Sequence, residues 1–130
     1  MKYLGIDYGT KRIGLAVSDG NGFIAFPRET LENNSRVIEE LVHIIEAERI
    51  QSIVVGDTRA LSGAANAVTS EAEAFVEKLK SQILIPVESV FEAWSSVEAA
   101  RYQDGGEKRD DAAAAIILQR YLDMKGSTIE

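Results

Sequence analysis

The sequence contains no cysteine and a single histidine, His43. These absences exclude disulfides, thiolate metal sites, cysteine nucleophiles and any site built from several histidines. A bound metal would therefore have oxygen ligands, which favours Mg²⁺ or Mn²⁺. No apolar run approaches the roughly 20 residues of a membrane span, and the N-terminus lacks the basic and apolar segments of a signal peptide. We expect a cytoplasmic protein that does not contact a membrane.

Basic residues are also few, since 14 Lys and Arg stand against 21 Asp and Glu, for a net charge of −7. This balance argues against a general nucleic-acid coat, because such proteins neutralise phosphates with an excess of Lys and Arg. It does not exclude a nuclease, because a carboxylate-bound metal and a local basic patch can offset the global charge. The 130 residues contain only two prolines and no linker or repeat, which predicts a single domain over residues 1–130.

The first part of the sequence predicts three strands. Apolar residues alternate over 2–8 and again over 12–18, with the turn Gly9-Thr10-Lys11 between them. Asp19–Gly22 predicts a tight hairpin turn, because Gly and Asn tolerate positive φ, and a third strand is expected at about 23–31. We therefore predict an antiparallel meander.

After the polar residues 33–35, helices and strands alternate. Apolar residues at helical spacing, or in short β-branched runs, predict these elements. Together with the meander they indicate an α/β protein whose five-stranded mixed sheet carries helices on both faces. The predicted elements are helices at about 37–45, 68–79, 95–102 and 110–124, buried strands at 52–56 and 83–90, and loops at 57–64 and 104–109.

Acidic residues stand where three of these elements begin or end. Asp7 closes the first strand, Glu92 follows the last strand, and Asp110, beside Asp111, opens the final helix. Because the first strand is expected at the centre of the sheet, these carboxylates can converge, and their mutual repulsion would need a cation. Two hard cations held by such carboxylates promote the hydrolysis of phosphodiesters by in-line attack of water. Alternatively, Asp7 forms a turn, Asp110 and Asp111 cap a helix, and Glu92 is a solvated surface residue.

Basic residues flank two of the acidic positions, where the phosphates of a nucleic acid would pass. The backbone amides of Gly9–Lys11, with the Thr10 hydroxyl, would add a small anion-binding nest. A solvated charged face is the alternative interpretation of each of these residues. The predicted nucleic-acid-binding residues are Gly9, Thr10, Lys11, Arg12, Arg59, Lys108 and Arg109.

Two stretches give the sequence a resemblance to a known family. Residues 5–19, Gly-Ile-Asp-Tyr-Gly-Thr-Lys-Arg-Ile-Gly-Leu-Ala-Val-Ser-Asp, resemble the opening of the YqgF/RuvX family of Holliday junction resolvase-like proteins. Residues 110–123 are similar to the closing helix of that family, and 53–56 and 90–92 fit its middle motifs in order. The resemblance covers essentially the whole chain and implies the RNase H-like fold.

The resemblance also implies a function. Members of the family are described as nucleases that process the 5′ end of precursor 16S rRNA, with resolution of Holliday junctions as an earlier proposal. Carried over to this sequence, Asp7, Glu92 and Asp110 are catalytic residues and ligands of a two-metal Mg²⁺ or Mn²⁺ site, with Asp111 as a stand-in for Asp110. The implied partners are structured RNA, branched DNA and ribosomal particles.

The sequence departs from the family pattern at three places. Phe91 and Ala93 flank Glu92 where the family has an acid and an arginine, and Asp57 stands where it has a leucine after the fourth strand. The basic loop before the final helix is short. These departures affect residues that would hold the substrate, whereas the implied metal ligands are kept.

Two other functions stay open at this point. Nucleotide-binding proteins of the actin and sugar-kinase superfamily also open with Gly-x-Asp-x-Gly-Thr, but they need two RNase H-like halves, and 130 residues supply one. The other alternative is a non-catalytic nucleic-acid or ribosome-assembly module that keeps the fold, which Ala93 and the short basic loop favour. The sequence does not distinguish a monomer from a homodimer.

Overall fold

The computed structural model describes residues 1–57, 67–91 and 110–127. Along these residues, three strands are followed by an alternation of helices and strands. The elements are β1 (Tyr3–Asp7), β2 (Arg12–Ser18), β3 (Ala25–Glu32), α1 (Val37–Glu48), β4 (Ser52–Asp57), α2 (Ala67–Lys80), β5 (Val87–Phe91) and α3 (Asp110–Ser127).

The five strands form one sheet in the order β3-β2-β1-β4-β5, with β1 at its centre. β2 is antiparallel to both β1 and β3, whereas β4 is parallel to both β1 and β5. The predicted mixed sheet, its meander and its central first strand are confirmed. Because β1, β4 and β5 run parallel, their carboxyl ends lie at the same edge of the sheet, and Asp7 is the last residue of β1.

Successive residues of β1 contact helices on opposite faces of the sheet, because side chains in a strand alternate with a period of two. Leu4 and Ile6 lie in a core with α1 and α2, whereas Tyr3 lies in a second core with α3. Helices therefore cover both faces, as predicted. The α3 core consists of Tyr3, Ala16, Val54, Ala113, Ala114, Ile117, Leu118 and Leu122.

β3 begins two residues later than predicted, at Ala25. The Asp19 carboxylate accepts the backbone N–H groups of Phe23 and Ile24 at 2.7 and 2.8 Å, which extends the hairpin loop. Within β3, the register shifts against β2 where Pro27 pairs with Ala16. A proline is tolerated there because β3 is an edge strand of the described sheet.

β5 also begins later than predicted, at Val87 instead of 83. Pairing with β4 starts at the Pro86 carbonyl, which accepts the Ile53 N–H at 2.9 Å, and Pro86 itself has no N–H to donate. β5 forms the other edge of the described sheet, and Glu88 and Ser89 are exposed. The prediction of a buried strand over 83–90 is therefore wrong in its first half and in its burial.

The three described helices occur where the sequence predicts them, and α1 and α3 each extend three residues past the predicted end. Most of the predicted loop 57–64, the predicted helix 95–102 and the predicted loop 104–109 lie outside the described residues. Among the described helices, none is long and apolar enough to span a membrane.

Candidate active site

Asp7 lies at the carboxyl end of the central strand on the face that α3 covers. Two residues earlier, a Cβ atom placed on Gly5 would meet the Cβ of Leu118 in α3 at 2.7 Å, and Tyr3 belongs to the α3 core. Asp7 shares this face by the period of two in a strand. It is only 3% exposed. A buried carboxylate is the informative exception in a protein interior, because burying a charge is costly unless something compensates it.

Asp110, the first residue of α3, is the second buried carboxylate, with an exposure of 8%. Its backbone lies against Gly14 of β2, since a Cβ atom on Gly14 would be 2.0 Å from the Asp110 carbonyl oxygen and 2.9 Å from the Asp110 Cβ. Gly14 is also the cross-strand partner of Asp7. Directly opposed residues share one face of a sheet, so Asp7 and Asp110 meet on the α3 face.

Arg12 contacts this pair from the start of β2. Its Nε atom donates a hydrogen bond to Oδ2 of Asp110 at 2.8 Å, which forms an ion pair. The Arg12 side chain is 38% exposed and that of Asp110 is 10% exposed, so the pair lies at the border between the core and water. A charge-assisted bond of this kind is stronger than a neutral one and fixes the direction of the carboxylate.

The turn between β1 and β2 lies beside the buried carboxylates and is held by Asn33. The Asn33 side-chain amide donates to the Gly9 carbonyl at 2.8 Å, and the Asn33 backbone N–H donates to the Lys11 carbonyl at 2.9 Å. A Cβ atom on Gly9 would be 2.4 Å from the carbonyl oxygen of Arg12, so the turn requires glycine there. Thr10 and Lys11 are exposed at its tip, where a ligand can reach them.

The remaining predicted site residues fall into two groups. Asp111 is half-buried, and its carboxylate accepts the N–H of Ala112 at 3.0 Å. This contact satisfies a backbone donor in the first turn of α3, as expected of an acidic residue at a helix start. The predicted residues Glu92, Arg59, Lys108 and Arg109, together with Ala93, lie outside the described residues.

The described part of the chain contains no group of three or more metal-binding side chains. It does contain two of the predicted ligands, Asp7 and Asp110, on one face at one edge of the sheet. Carboxylate oxygens suit hard cations such as Mg²⁺ and Mn²⁺, which usually keep several water ligands and need only one or two protein carboxylates. The residues present therefore fit the metal that the sequence predicts.

Comparison with known proteins identifies the family. A family model described as "RuvX: Holliday junction resolvase" matches residues 1–124. The chain belongs to the RuvX family. A relative from Nitratidesulfovibrio vulgaris is 40% identical over 137 residues, which cover 98% of this chain and 96% of the relative. A relative from Oleidesulfovibrio alaskensis is 37% identical over 134 residues, which cover 95% and 93%. Both relatives are named "Putative pre-16S rRNA nuclease".

Solved structures resemble this RuvX-family chain over nearly its full length. T. thermophilus RuvC, in complex with a Holliday junction substrate, has a TM-score of 0.65 at 16% identity and covers 98% of this chain and 97% of that one. The fowlpox virus Holliday junction resolvase has a TM-score of 0.58 at 12% identity, with 95% and 99% covered. At such low identities the likeness concerns the fold, and the predicted RNase H-like fold is confirmed.

Two residues of this RuvX site were not predicted from the sequence. Gly14 lets the start of α3 approach β2 closely, yet in the sequence it is one glycine inside an alternating strand. Asn33 holds the β1–β2 turn from 24 positions away, and its polar neighbours indicate only a helix start. The glycine carries a weak signal, because glycine inside a strand often marks a close backbone approach. Asn33 carries none.

Proposed function

We propose that this chain is a divalent-metal-dependent nuclease that hydrolyses phosphodiester bonds in structured nucleic acid. One observation carries the proposal: two carboxylates, Asp7 and Asp110, are buried next to each other at the carboxyl edge of the sheet. Membership of the RuvX family supports it, because the family is described by a nuclease activity. Asp7, Asp110 and Glu92 are the proposed catalytic and metal-binding residues, with Asp111 as the substitute for Asp110.

Mg²⁺ or Mn²⁺ bound by these carboxylates would supply an activated water and stabilisation of the leaving oxygen. The chain itself would contribute position and charge. The central strand holds Asp7 rigidly, because β1 is paired on both sides. Arg12 holds the carboxylate of Asp110 in one orientation. Residues held on paired strands and helix starts keep a more constant geometry than residues on loops.

Substrate phosphates would be bound by the turn between β1 and β2. Its exposed tip offers the Thr10 hydroxyl, the Lys11 ammonium group and backbone amides, which together suit a phosphate group. Asn33 keeps this turn in a fixed position relative to the sheet. The further basic residues of the proposal are Arg12, Arg59, Lys108 and Arg109.

The substrate that we propose is the 5′ end of precursor 16S rRNA, processed in the cytoplasm on free RNA or on ribosomal particles. The names of the two relatives support this choice over branched DNA. The second candidate substrate is a four-way DNA junction, because T. thermophilus RuvC, which has a similar fold, binds a Holliday junction substrate in its complex. A symmetric junction would require a homodimer that presents two active sites, whereas an RNA end requires only a monomer.

The test compares cleavage of two labelled substrates by the full chain in the presence of Mn²⁺ or Mg²⁺. One substrate is an RNA that spans the 5′ leader and the start of mature 16S rRNA, and the other is a four-way DNA junction. We expect the RNA to be cleaved at the mature 5′ end, and Asp7→Asn to lower the rate by at least about 100-fold, because it removes a metal ligand. Asp123→Asn, the same change on the exposed side of α3, is the matched control and should keep the rate.

Each other outcome selects an alternative. Cleavage of the junction alone would replace RNA by branched DNA as substrate. Equal activity of wild type and Asp7→Asn would contradict the proposed site. No activity on either substrate would favour the non-catalytic module, and a large rise in melting temperature with ATP and Mg²⁺, absent with Mn²⁺ alone, would favour the nucleotide-binding alternative. A comparison of Asp110→Asn with Asp111→Asn identifies the third ligand.

A further inference from the structure

Strand β2 makes two separate contacts with Asp110, and both come from the face that α3 covers. Gly14 contacts the Asp110 backbone, and Arg12, two residues earlier on the same face, contacts its carboxylate. The position of Asp110 relative to Asp7 therefore depends on two residues that are not themselves proposed metal ligands. We call Arg12 and Gly14 the Asp110 seat.

The contact at Gly14 is closer than any side chain allows. A Cβ atom there would lie 2.0 Å from the carbonyl oxygen of Asp110, 2.3 Å from its carbonyl carbon and 2.9 Å from its Cβ. These are main-chain atoms and the Cβ of a helix residue, so no rotation of a side chain can make room. Any residue larger than glycine must push the first turn of α3 away from the sheet, and Asp110 moves with it.

Two other glycines lie under α3, and they differ from Gly14 in what they contact. A Cβ atom on Gly5 would be 2.7 Å from the Cβ of Leu118, more than two turns farther along the helix, and 3.2 Å from the carbonyl oxygen of Ala114, one turn from Asp110. A Cβ atom on Gly56 would be 2.4 Å from Cδ1 of Ile117, the end of a side chain that can rotate. Only the contact at Gly14 involves a proposed metal ligand.

The contact with Arg12 fixes the direction of the Asp110 carboxylate, whereas the contact with Gly14 fixes how far Asp110 lies from β2. The Nε–Oδ2 bond of 2.8 Å holds one oxygen of the Asp110 carboxylate and so fixes the orientation of the group. The guanidinium charge also offsets the repulsion between two neighbouring carboxylates. A positive side chain in this place therefore favours a close approach of Asp110 to Asp7.

We propose that Gly14 and Arg12 are positioning residues that seat Asp110 against Asp7, Gly14 by distance and Arg12 by orientation. The proposal rests on the proposed function, because it concerns the same pair of carboxylates. For Arg12 it replaces the phosphate-binding role that the sequence suggested and that the proposed function includes. Lys11, its exposed neighbour at the tip of the turn, keeps the phosphate-binding role.

The first experiment compares Gly14→Ala with Gly5→Ala, since both add one methyl group under α3. Mn²⁺ affinity of the free protein, measured by electron paramagnetic resonance without nucleic acid, is the main readout, and kcat and KM are measured beside it. We expect both variants to lose stability. Gly14→Ala should weaken Mn²⁺ binding by about 10- to 100-fold, as loss of support around a metal ligand does, and lower kcat at an unchanged KM. Gly5→Ala should keep Mn²⁺ affinity within about twofold, because its shortest contact, with Leu118, lies more than two turns from Asp110 and its contact with Ala114 is longer, at 3.2 Å.

The second experiment compares Arg12→Gln with Lys11→Gln and needs no change at a packed position. If Arg12 is a positioning residue, Arg12→Gln should lower kcat and leave KM and the salt dependence of KM unchanged. Arg12→Lys should then recover part of the lost kcat. If Lys11 contacts a substrate phosphate, Lys11→Gln should raise KM and leave kcat unchanged. The slope of log KM against log salt should fall by about one unit.

The results that overturn the proposal are distinct from those that overturn the proposed function. Equal Mn²⁺ affinity in Gly14→Ala and wild type, or an equal loss in Gly5→Ala, would remove Gly14 from the seat. An Arg12→Gln variant that behaves like Lys11→Gln would make Arg12 a phosphate ligand. A wild-type protein that binds Mn²⁺ but cleaves nothing would overturn the proposed function alone, and one that binds no Mn²⁺ would overturn both.

Discussion

The two faces of the sheet are packed in opposite ways by the same strands. Toward α1 and α2, β1 and β2 present the large side chains Leu4, Ile6, Ile13 and Leu15, all fully buried. Toward α3, the alternate residues of the same strands are mostly small or charged, and include Gly5, Gly14 and Ala16 beside Asp7 and Arg12. Large side chains keep a helix at side-chain distance, whereas glycines let its backbone approach the strands.

The difference shows what each face contributes. Among the described residues, the α1–α2 face buries the larger number of large aliphatic side chains, so it supplies most of their hydrophobic stabilisation. The α3 face has fewer large side chains, but the position of α3 is fixed by backbone contacts that cannot adjust by rotation. The candidate active site lies on that second face. Stability is thus concentrated on one side of the sheet and precise placement on the other.

The largest effect should come from a cavity on the α1–α2 face. Leu41 of α1 is fully buried, so Leu41→Ala removes apolar contacts and leaves an unfilled space. We expect a loss of about 3 kcal/mol in the free energy of unfolding, measured by urea denaturation, with Mn²⁺ affinity unchanged. A loss below about 1 kcal/mol would mean that this face can collapse around the missing side chain, and the contrast between the faces would disappear.

A smaller effect is expected from overpacking on the α3 face. Gly56→Ala places a methyl group against Cδ1 of Ile117 and should cost about 2 kcal/mol of unfolding free energy. Ile117→Val removes that carbon and alone should cost about 1 kcal/mol. In the double variant the total loss should be about 1 kcal/mol smaller than the sum of the two single losses, because the shortest contact, that with Cδ1, is gone. If the losses of unfolding free energy measured by urea denaturation are strictly additive, α3 moves as a rigid body away from the sheet.

The fold could be predicted because its signal is local. Alternation in β1 and β2, helical spacing from Val37, and a β-branched run over 52–56 each depend on neighbouring residues only. The positions of Asp7 at a strand end and Asp110 at a helix start follow from those element boundaries. Their meeting on one face then follows from β1 being the central strand, a consequence of the alternating order of elements.

The remaining features depend on contacts that no local pattern contains. Arg12 bonds to Asp110, 98 positions later in the chain, and no local pattern indicates that contact. Judged by its charge alone, Arg12 was predicted to bind a phosphate. The start of β3 depends on which backbone groups the Asp19 carboxylate accepts, and a turn motif does not specify those. The edge position of β5 depends on the order of strands, whereas its apolar sequence indicated burial.

The hydrogen bonds that join a helix to the strands can also be compared between the two faces, beginning with Gln119 on the α3 face. Gln119 of α3 accepts the Ala25 N–H at 2.8 Å and donates to the Phe23 carbonyl at 2.9 Å, so it fastens the β2–β3 hairpin to the helix. Gln119→Ala should cost about 1 kcal/mol of unfolding free energy and raise the exchange rate of the Ala25 amide hydrogen. Gln119→Glu keeps the acceptor for the Ala25 N–H but loses the donor and faces the Asp123 carboxylate, so it should protect the Ala25 amide from exchange without restoring the stability. Unchanged exchange at Ala25 would mean that pairing with β2 alone holds the strand.

The smallest effect is expected at the corresponding tie on the α1 side. Glu48, near the end of α1, accepts from Lys2 Nζ at 2.8 Å and from Arg28 Nε at 2.7 Å, and joins the helix to residues beside β1 and within β3. The hydrogen bond from Lys2, and then that from Arg28, holds the pKa of Glu48 below its ordinary value. A lowered folded-state pKa gives stabilisation that is present above the ordinary value of 4.5 and is lost as the pH falls through the folded-state pKa.

Glu48→Gln should therefore lower the free energy of unfolding by about 0.5 kcal/mol at pH 7, because a partly exposed ion pair contributes little. The difference between the variant and wild type should shrink as the pH falls below 4.5, since the wild-type carboxylate then also becomes neutral. Urea denaturation at pH 7 and at pH 3.5 measures both values. A difference that stays constant with pH would assign the effect to packing. The α1 face would then be held by its apolar core alone, and the contrast with the tied hairpin on the α3 face would be sharper.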